Sequence, residues 1–83
     1  MKTVYQTVGT CSKQIELELE NGMVRSVRFV GGCHGNLQGI SKLVEGMPVQ
    51  EVVGRLKGIR CGMKPTSCPD QLARALEQAV AHS

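Results

Sequence analysis

Lys13-Gln14-Ile15-Glu16-Leu17-Glu18-Leu19-Glu20-Asn21-Gly22 is the stretch whose reading decides the fold. Apolar and charged residues alternate through it, with Ile15, Leu17 and Leu19 on one face and Glu16, Glu18 and Glu20 on the other. A period of two is that of a strand buried on one side. Asn21-Gly22 then marks a hairpin. A two-residue loop would set Leu17 opposite Ser26 and Ile15 opposite Arg28, which puts polar groups on the apolar face. A three-residue loop, with Gly22 left-handed as a bulge, sets Leu19 opposite Met23 and Ile15 opposite Val27, and leaves Phe29 inward. A slip of one residue reverses every facing, so the three-residue loop is the expected one. Arg25 must then reach the rim of the sheet.

Upstream, Thr3 to Val8 is rich in Thr, Val and Tyr and reads as a first strand. Downstream the period changes to that of helices. Asn36 can cap a helix carrying Leu37, Ile40, Leu43 and Val44, ended by Gly46. Pro48 opens a second, short helix with Val49, Val52, Val53 and Leu56 inward, ended by Gly58. A loop from Ile59 to Ser67 follows. The last helix starts at Pro69, with Asp70 in its first turn and Cys68 as its N-cap. Its buried stripe is Leu72, Leu76 and Val80, with Ala73 and Ala79 beside it. Strands first and helices after predict an α+β fold: a three-stranded antiparallel sheet followed by three helices packed on one face. Residues 1–83 read as a single domain.

The chain has 83 residues, so one modest core has little stability to spare and a metal staple would matter. Its formal charge of +3 comes from scattered basic residues, and it has no Trp, one Tyr and one Phe. Neither feature suits a nucleic-acid partner. No apolar secretory leader shows in Met1 to Val8, and no apolar run approaches the roughly 18 residues of a membrane span. The expectation is a cytoplasmic protein that does not engage membranes. Composition sets no oligomeric state.

Cytoplasmic chains rarely keep disulfides, so the four cysteines call for metal ligation or redox chemistry. Cys11 follows Gly9-Thr10 between strands one and two. Cys33 follows Gly31-Gly32 at the end of strand three. Cys61 precedes Gly62, and Cys68 precedes Pro69. Each lies in a loop or at an element end, where glycine lets the backbone aim several sulfurs at one point. In an antiparallel meander the turn holding Cys11 lies at the sheet end where strand three exits toward Cys33. A last helix starting at that end brings Cys68 to the same place, and Cys61 can join from the loop before it. The helix dipole would favour a thiolate at Cys68. A lone cysteine is usually a small core residue; four at loops and ends are not explained that way. The spacing matches neither a zinc knuckle nor a thioredoxin C-x-x-C. A Cys61–Cys68 dithiol stays open beside the metal site.

Weaker signals surround the cysteines. His34 is a candidate fifth ligand or proton carrier, and equally an exposed loop residue; His82 is tail. Gly31 to Asn36 precedes a helix but lacks the P-loop and dinucleotide motifs. Arg55, Lys57, Arg60 and Lys64 form a local basic cluster. Such a cluster is usually a solvated face; it is also able to dock an acidic partner or a nucleotide phosphate.

Thr66-Ser67-Cys68-Pro69-Asp70, with Gly31-Gly32-Cys33-His34-Gly35 upstream, resembles the TSCPD family. That family occurs as small stand-alone proteins and as a C-terminal domain of cobalamin-dependent ribonucleotide reductases. The resemblance implies a link to ribonucleoside-diphosphate reductase, without the long radical-bearing barrel that carries the reductase active site. The order of elements also resembles the NifU-type iron–sulfur scaffold (a NifU/SufE-like fold), with Cys11, Cys33 and Cys68 at positions matching its three cluster-binding cysteines. Leu43 to Glu51 resembles the scaffold's join between helices. The scaffold has an Asp where this chain has Lys13 and a His where it has Ser67, while Cys61 is extra. That exchange implies a closed, all-thiolate site that keeps its metal.

The leading expectation is therefore a metal-binding module, with zinc or an iron–sulfur cluster held by Cys11, Cys33, Cys61 and Cys68, accessory to ribonucleotide reduction. The alternative is a reductase-related protein acting through nucleotide binding or a redox dithiol, with a ribonucleotide reductase as partner. A third reading, Cys68 as nucleophile with His34 as base, ranks lowest because no oxyanion hole or orienting carboxylate accompanies it.

Overall fold

A computed structural model describes residues 1–10, 12–32 and 34–81, without the side chain of His34. The chain forms β1 (Lys2–Gln6), β2 (Ser12–Glu20), β3 (Met23–Gly31), α1 (His34–Val44), α2 (Val49–Leu56) and α3 (Cys68–Ala81). The strands make one antiparallel sheet in the order β1-β2-β3. This is the expected α+β arrangement, a three-stranded sheet followed by three helices. Ile15, Leu17 and Leu19 are buried, and with Val24 and Val27 they form the sheet's half of the core. Val44 of α1, Val49 and Val52 of α2, and Leu72, Leu76 and Ala79 of α3 form the other half. The opposite sheet face stays open and carries the ion pairs Lys2–Glu18 and Arg28–Glu16.

The hairpin differs from the expected one. Glu20 pairs with Met23, so the loop is the two residues Asn21 and Gly22. Both have positive φ, 54° and 76°, as a type I′ turn requires. Leu19 pairs with Val24 and Glu18 with Ser26, which leaves Arg25 as an extra residue on β3. This bulge restores the facing that a plain two-residue hairpin would lose: Leu17 meets Val27 and Ile15 meets Phe29. The polar mismatch that argued against a two-residue loop is removed by one unpaired arginine. Arg25 lies outward and pairs with Glu20 at 3.7 Å.

Three other expectations need correction. β1 ends at Gln6 rather than Val8, because the Val8 N–H turns away to Gln71. Asn36 lies inside α1, which begins at His34. Two apolar residues sit outside the core: Leu43 is 77% exposed and Val80 is 50% exposed. The buried face of α1 runs through Leu37, Ser41 and Val44, and the Ser41 hydroxyl donates to the Leu37 carbonyl at 2.8 Å. That local bond lets a polar residue occupy the place periodicity gave to its apolar neighbour. In α3 the small Ala75 and Ala79 let the helix approach β2, and Val80 lies round the side.

The join between α1 and α2 is tied to the hairpin. Val24 N–H donates to Met47, Gly46 N–H to Val24, and Val49 N–H to Gly22, at 2.9, 2.7 and 2.9 Å. This fixes one end of the sheet. The other end, where Ser12 pairs with Gly31, meets the head of α3. Among the described residues, no helix is long and apolar enough to cross a membrane.

Candidate functional site

The head of α3 is built from Thr66-Ser67-Cys68-Pro69-Asp70. Ser67, not Cys68, is the N-cap. Its hydroxyl accepts from the Asp70 N–H at 3.1 Å and its carbonyl accepts the first helical bond, from Gln71 N–H at 2.8 Å. The Ser67 hydroxyl also donates to the Ile59 carbonyl at 2.6 Å. Cys68 and Pro69 therefore take the first two helical positions, where a missing proline N–H costs nothing. A Ser-x-x-Asp spacing ahead of an apolar run is a legible helix start, and it identifies Ser67 correctly.

Asp70 is wholly buried, at 0% exposure. Its Oδ1 accepts from the Gly58 N–H at 2.7 Å. Its Oδ2 accepts from the Thr66 hydroxyl and from Arg74 Nε, the latter at 2.8 Å. Burial pushes this carboxyl up, but the Thr66 hydroxyl, the Gly58 N–H and the Arg74 guanidinium together outweigh it and hold the pKa at about 2, below the ordinary 3.8. The same contact raises Arg74. The bonds of Asp70 to Gly58 and Thr66 close the 58–66 loop onto the helix, and the one to Arg74 lies within α3. Position in the first helical turn explained its sign, not its burial. The signal was Arg74 four residues later.

Gln71 and Ser12 join this head to the strands. Gln71 Nε2 donates to Thr66 Oγ1 at 3.0 Å, and its Oε1 accepts from the Val8 N–H at 3.0 Å. Ser12 is buried, and its Oγ lies 3.3 Å from Cys68 Sγ and 3.1 Å from Thr10 Oγ1. Gly9 has a φ of 75°, and a Cβ there would come within 3.2 Å of the Thr66 methyl. The turn between β1 and β2 therefore packs on the head of α3, as the meander reading required.

The four cysteines are only partly described. Cys68 is buried beside Ser12, and Cys61 is exposed. Cys61 N–H donates to the Thr66 carbonyl at 3.2 Å, which bends its loop back toward α3. Cys11 and Cys33 lie outside the described residues, as do the side chain of His34 and the whole of His82. Among the described residues no group of three or more His, Cys, Asp or Glu side chains is placed to hold a metal ion. The basic cluster divides: Arg55 pairs with Glu51 and Lys57 with Glu77, while Arg60 and Lys64 have no ion pair among the described residues.

Comparison with known families now bears on this arrangement. The TSCPD domain matches residues 1–80. The chain belongs to the TSCPD domain family. No curated protein and no solved structure matches it. The TSCPD match covers all three strands and all but the last residue of α3, so the five-residue signature is read in its full structural setting. In this TSCPD domain Thr66, Ser67 and Asp70 hold the loop and cap the helix, and Cys68 faces the start of β2.

Proposed function

We propose that this TSCPD protein is a metal-binding module in which Cys11, Cys33, Cys61 and Cys68 hold zinc or an iron–sulfur cluster. The observation that carries the reading is the contact of Cys68 Sγ with Ser12 Oγ, 3.3 Å apart, at the sheet end where Ser12 pairs with Gly31. Ser12 follows Cys11 directly, and Gly31 stands two residues before Cys33. Cys61 is drawn toward the same helix head by its bond to Thr66. Four thiolates suit either metal, and a closed set of four makes a zinc site structural, because catalytic zinc keeps an open position. In a chain of 83 residues a metal would also add folding stability.

Family resemblance supports a role as an accessory of ribonucleotide reduction, with a reductase as partner. The likeness of Cys11, Cys33 and Cys68 to the three cysteines of the iron–sulfur scaffold rests on sequence order alone, since no solved structure matches the chain. Ser67, which stands where the scaffold has a histidine, is spent on capping α3 and holding Ile59, and Cys61 is the fourth donor we assign in its place.

Elemental analysis and absorption of anaerobically purified protein test the proposal. The expected result is one zinc or one iron–sulfur cluster per chain, and its loss in Cys68→Ser. Protein carrying neither metal, with four thiols that react freely, would refute it. A reversible two-electron couple in Cys61→Ser equal to that of the wild type would dispose of the dithiol alternative.

A further inference from the structure

The charges of this molecule are distributed unevenly. All seven carboxylates of Asp and Glu residues stand in ion pairs: Glu16 with Arg28, Glu18 with Lys2, Glu20 with Arg25, Glu45 with Lys42, Glu51 with Arg55, Asp70 with Arg74 and Glu77 with Lys57. Of the ten Lys and Arg residues, Lys13, Arg60 and Lys64 are left without an acidic partner among the described residues, and these three account for the net charge of +3. Lys13 follows Ser12, at the sheet end that meets α3. Arg60 and Lys64 lie in the loop closed by the head of α3.

That loop combines exposed side chains with a fixed backbone. Every residue from 57 to 65 is exposed. Met63 is 103% exposed, as open as in an extended chain. Ile59 is also exposed. Yet the loop's base is held at Gly58 by Asp70, at Ile59 by Ser67 and at Cys61 by Thr66, and its tip is turned by a bond from Lys64 N–H to the Cys61 carbonyl at 3.0 Å. Order in the backbone removes much of the entropy that a mobile loop would lose on docking. A methionine displayed between two cations on such a loop is an adaptable apolar anchor.

We propose that the 59–64 loop is a docking element for an acidic protein surface with an apolar recess, in which Met63 enters the recess and Arg60 and Lys64 face carboxylates on its rim. Charge complementarity supplies the sign of the partner, since two of the three cations without an acidic partner among the described residues stand in this loop. The exposed methionine favours a macromolecule over a small anion, because a thioether offers a phosphate nothing to bond. This surface does not depend on the metal reading.

Fluorescence anisotropy on the purified full chain tests the proposal. The probe is a labelled peptide of interspersed Glu, Asp, Leu and Phe, with an all-Glu peptide of equal charge and inorganic pyrophosphate as competitors. The apolar acidic peptide is expected to bind, and more weakly at about 0.15 M salt than at low salt. Arg60→Glu with Lys64→Glu is expected to weaken it about tenfold or more. Met63→Ser is expected to weaken it several-fold, while binding of the all-Glu peptide stays unchanged. Arg25→Glu, at the hairpin end of the sheet, is expected to leave binding within about twofold. All these positions are exposed, so the variants keep the fold. The proposal is overturned by no peptide binding, by Met63→Ser binding as wild type, or by pyrophosphate displacing the peptide more effectively than the all-Glu peptide.

Discussion

Asp70→Asn is the sharpest test of how the TSCPD signature works. The wild-type carboxylate accepts from Gly58 N–H, the Thr66 hydroxyl and Arg74 Nε. An asparagine oxygen can keep the Gly58 bond, but its NH₂ then faces two donors. Hydrogen bonds to a buried charge are worth about 1.5–3 kcal/mol each. Arg74 is 49% exposed and can turn to water, so its share is smaller. The expected loss at pH 7 is therefore about 2–4 kcal/mol. Linkage adds a signature that a simple packing defect would lack. The folded pKa is depressed from 3.8 to about 2, so this stability is present above pH 4 and is lost as pH falls toward 2. At about 1.4 kcal/mol per tenfold change in proton affinity, that depression is worth roughly 2–3 kcal/mol at most, part of it screened around Arg74. Urea unfolding of both proteins, in reductant, at several pH values between 7 and 2.5 measures this. The gap between wild type and variant should shrink as the pH drops below 4, because other carboxylates titrate alike in both. Hydrogen exchange at the Gly58 amide should quicken in the variant. Should Asp70→Asn not fold, Thr66→Val keeps the charge and is expected to cost about 1–2 kcal/mol. A gap that stays constant from pH 7 to 2.5, or one below about 0.5 kcal/mol at pH 7, would refute the reasoning.

Two further contrasts check the core and the turns. Leu76→Ala should cost about 2–5 kcal/mol, since Leu76 is fully buried against the sheet, whereas Leu43→Ala should change stability by less than about 0.5 kcal/mol. Equal effects in urea unfolding would contradict the assignment of the α1 face. Gly22→Ala should destabilise by about 1 kcal/mol, because φ there is 76° and no atom lies near enough to clash. Gly54→Ala, inside α2 with open space around it, should stabilise by up to about 1 kcal/mol, and a loss of stability there would show that α2 is wrongly bounded.

The strand order, the meander and the approach of α3 to the far end of the sheet were legible from local patterns. Alternation through Ile15, Leu17 and Leu19 fixed the buried face, and the strands-then-helices order fixed the architecture. The hairpin was misread because facing can be conserved in two ways, by lengthening the loop or by a bulge inside a strand. Nothing local separates them except that Arg25 is the natural residue to leave unpaired. Leu43 and Val80 were misassigned because period alone admits a wide arc. The choice within that arc depends on what lies opposite, and Ser41 satisfies its own hydroxyl. At the site, the meeting of Cys68 with the start of β2 followed from topology. The burial of Asp70 did not, because it depends on Gly58 and Arg74 closing over it from both sides.

The signature's chemistry narrows once its polar groups are assigned. A carboxylate held at about pKa 2 by three donors is a poor base, and Asp70 is wholly buried. Ser67 is engaged by the helix and by Ile59, and Thr66 by Asp70 and Gln71. Pro69 contributes only backbone shape. The Cys68 sulfur meets Ser12 at the sheet end where Cys11 directly precedes β2 in sequence. The remaining residues do two things: they set the helix head against β2, and they hold the 58–66 loop, with Cys61 in it, over that head. A signature that fixes one cysteine and positions the loop of another fits the multi-thiolate site proposed above. Cys68 itself is buried beside Ser12, a setting in which a thiol is shielded from solvent.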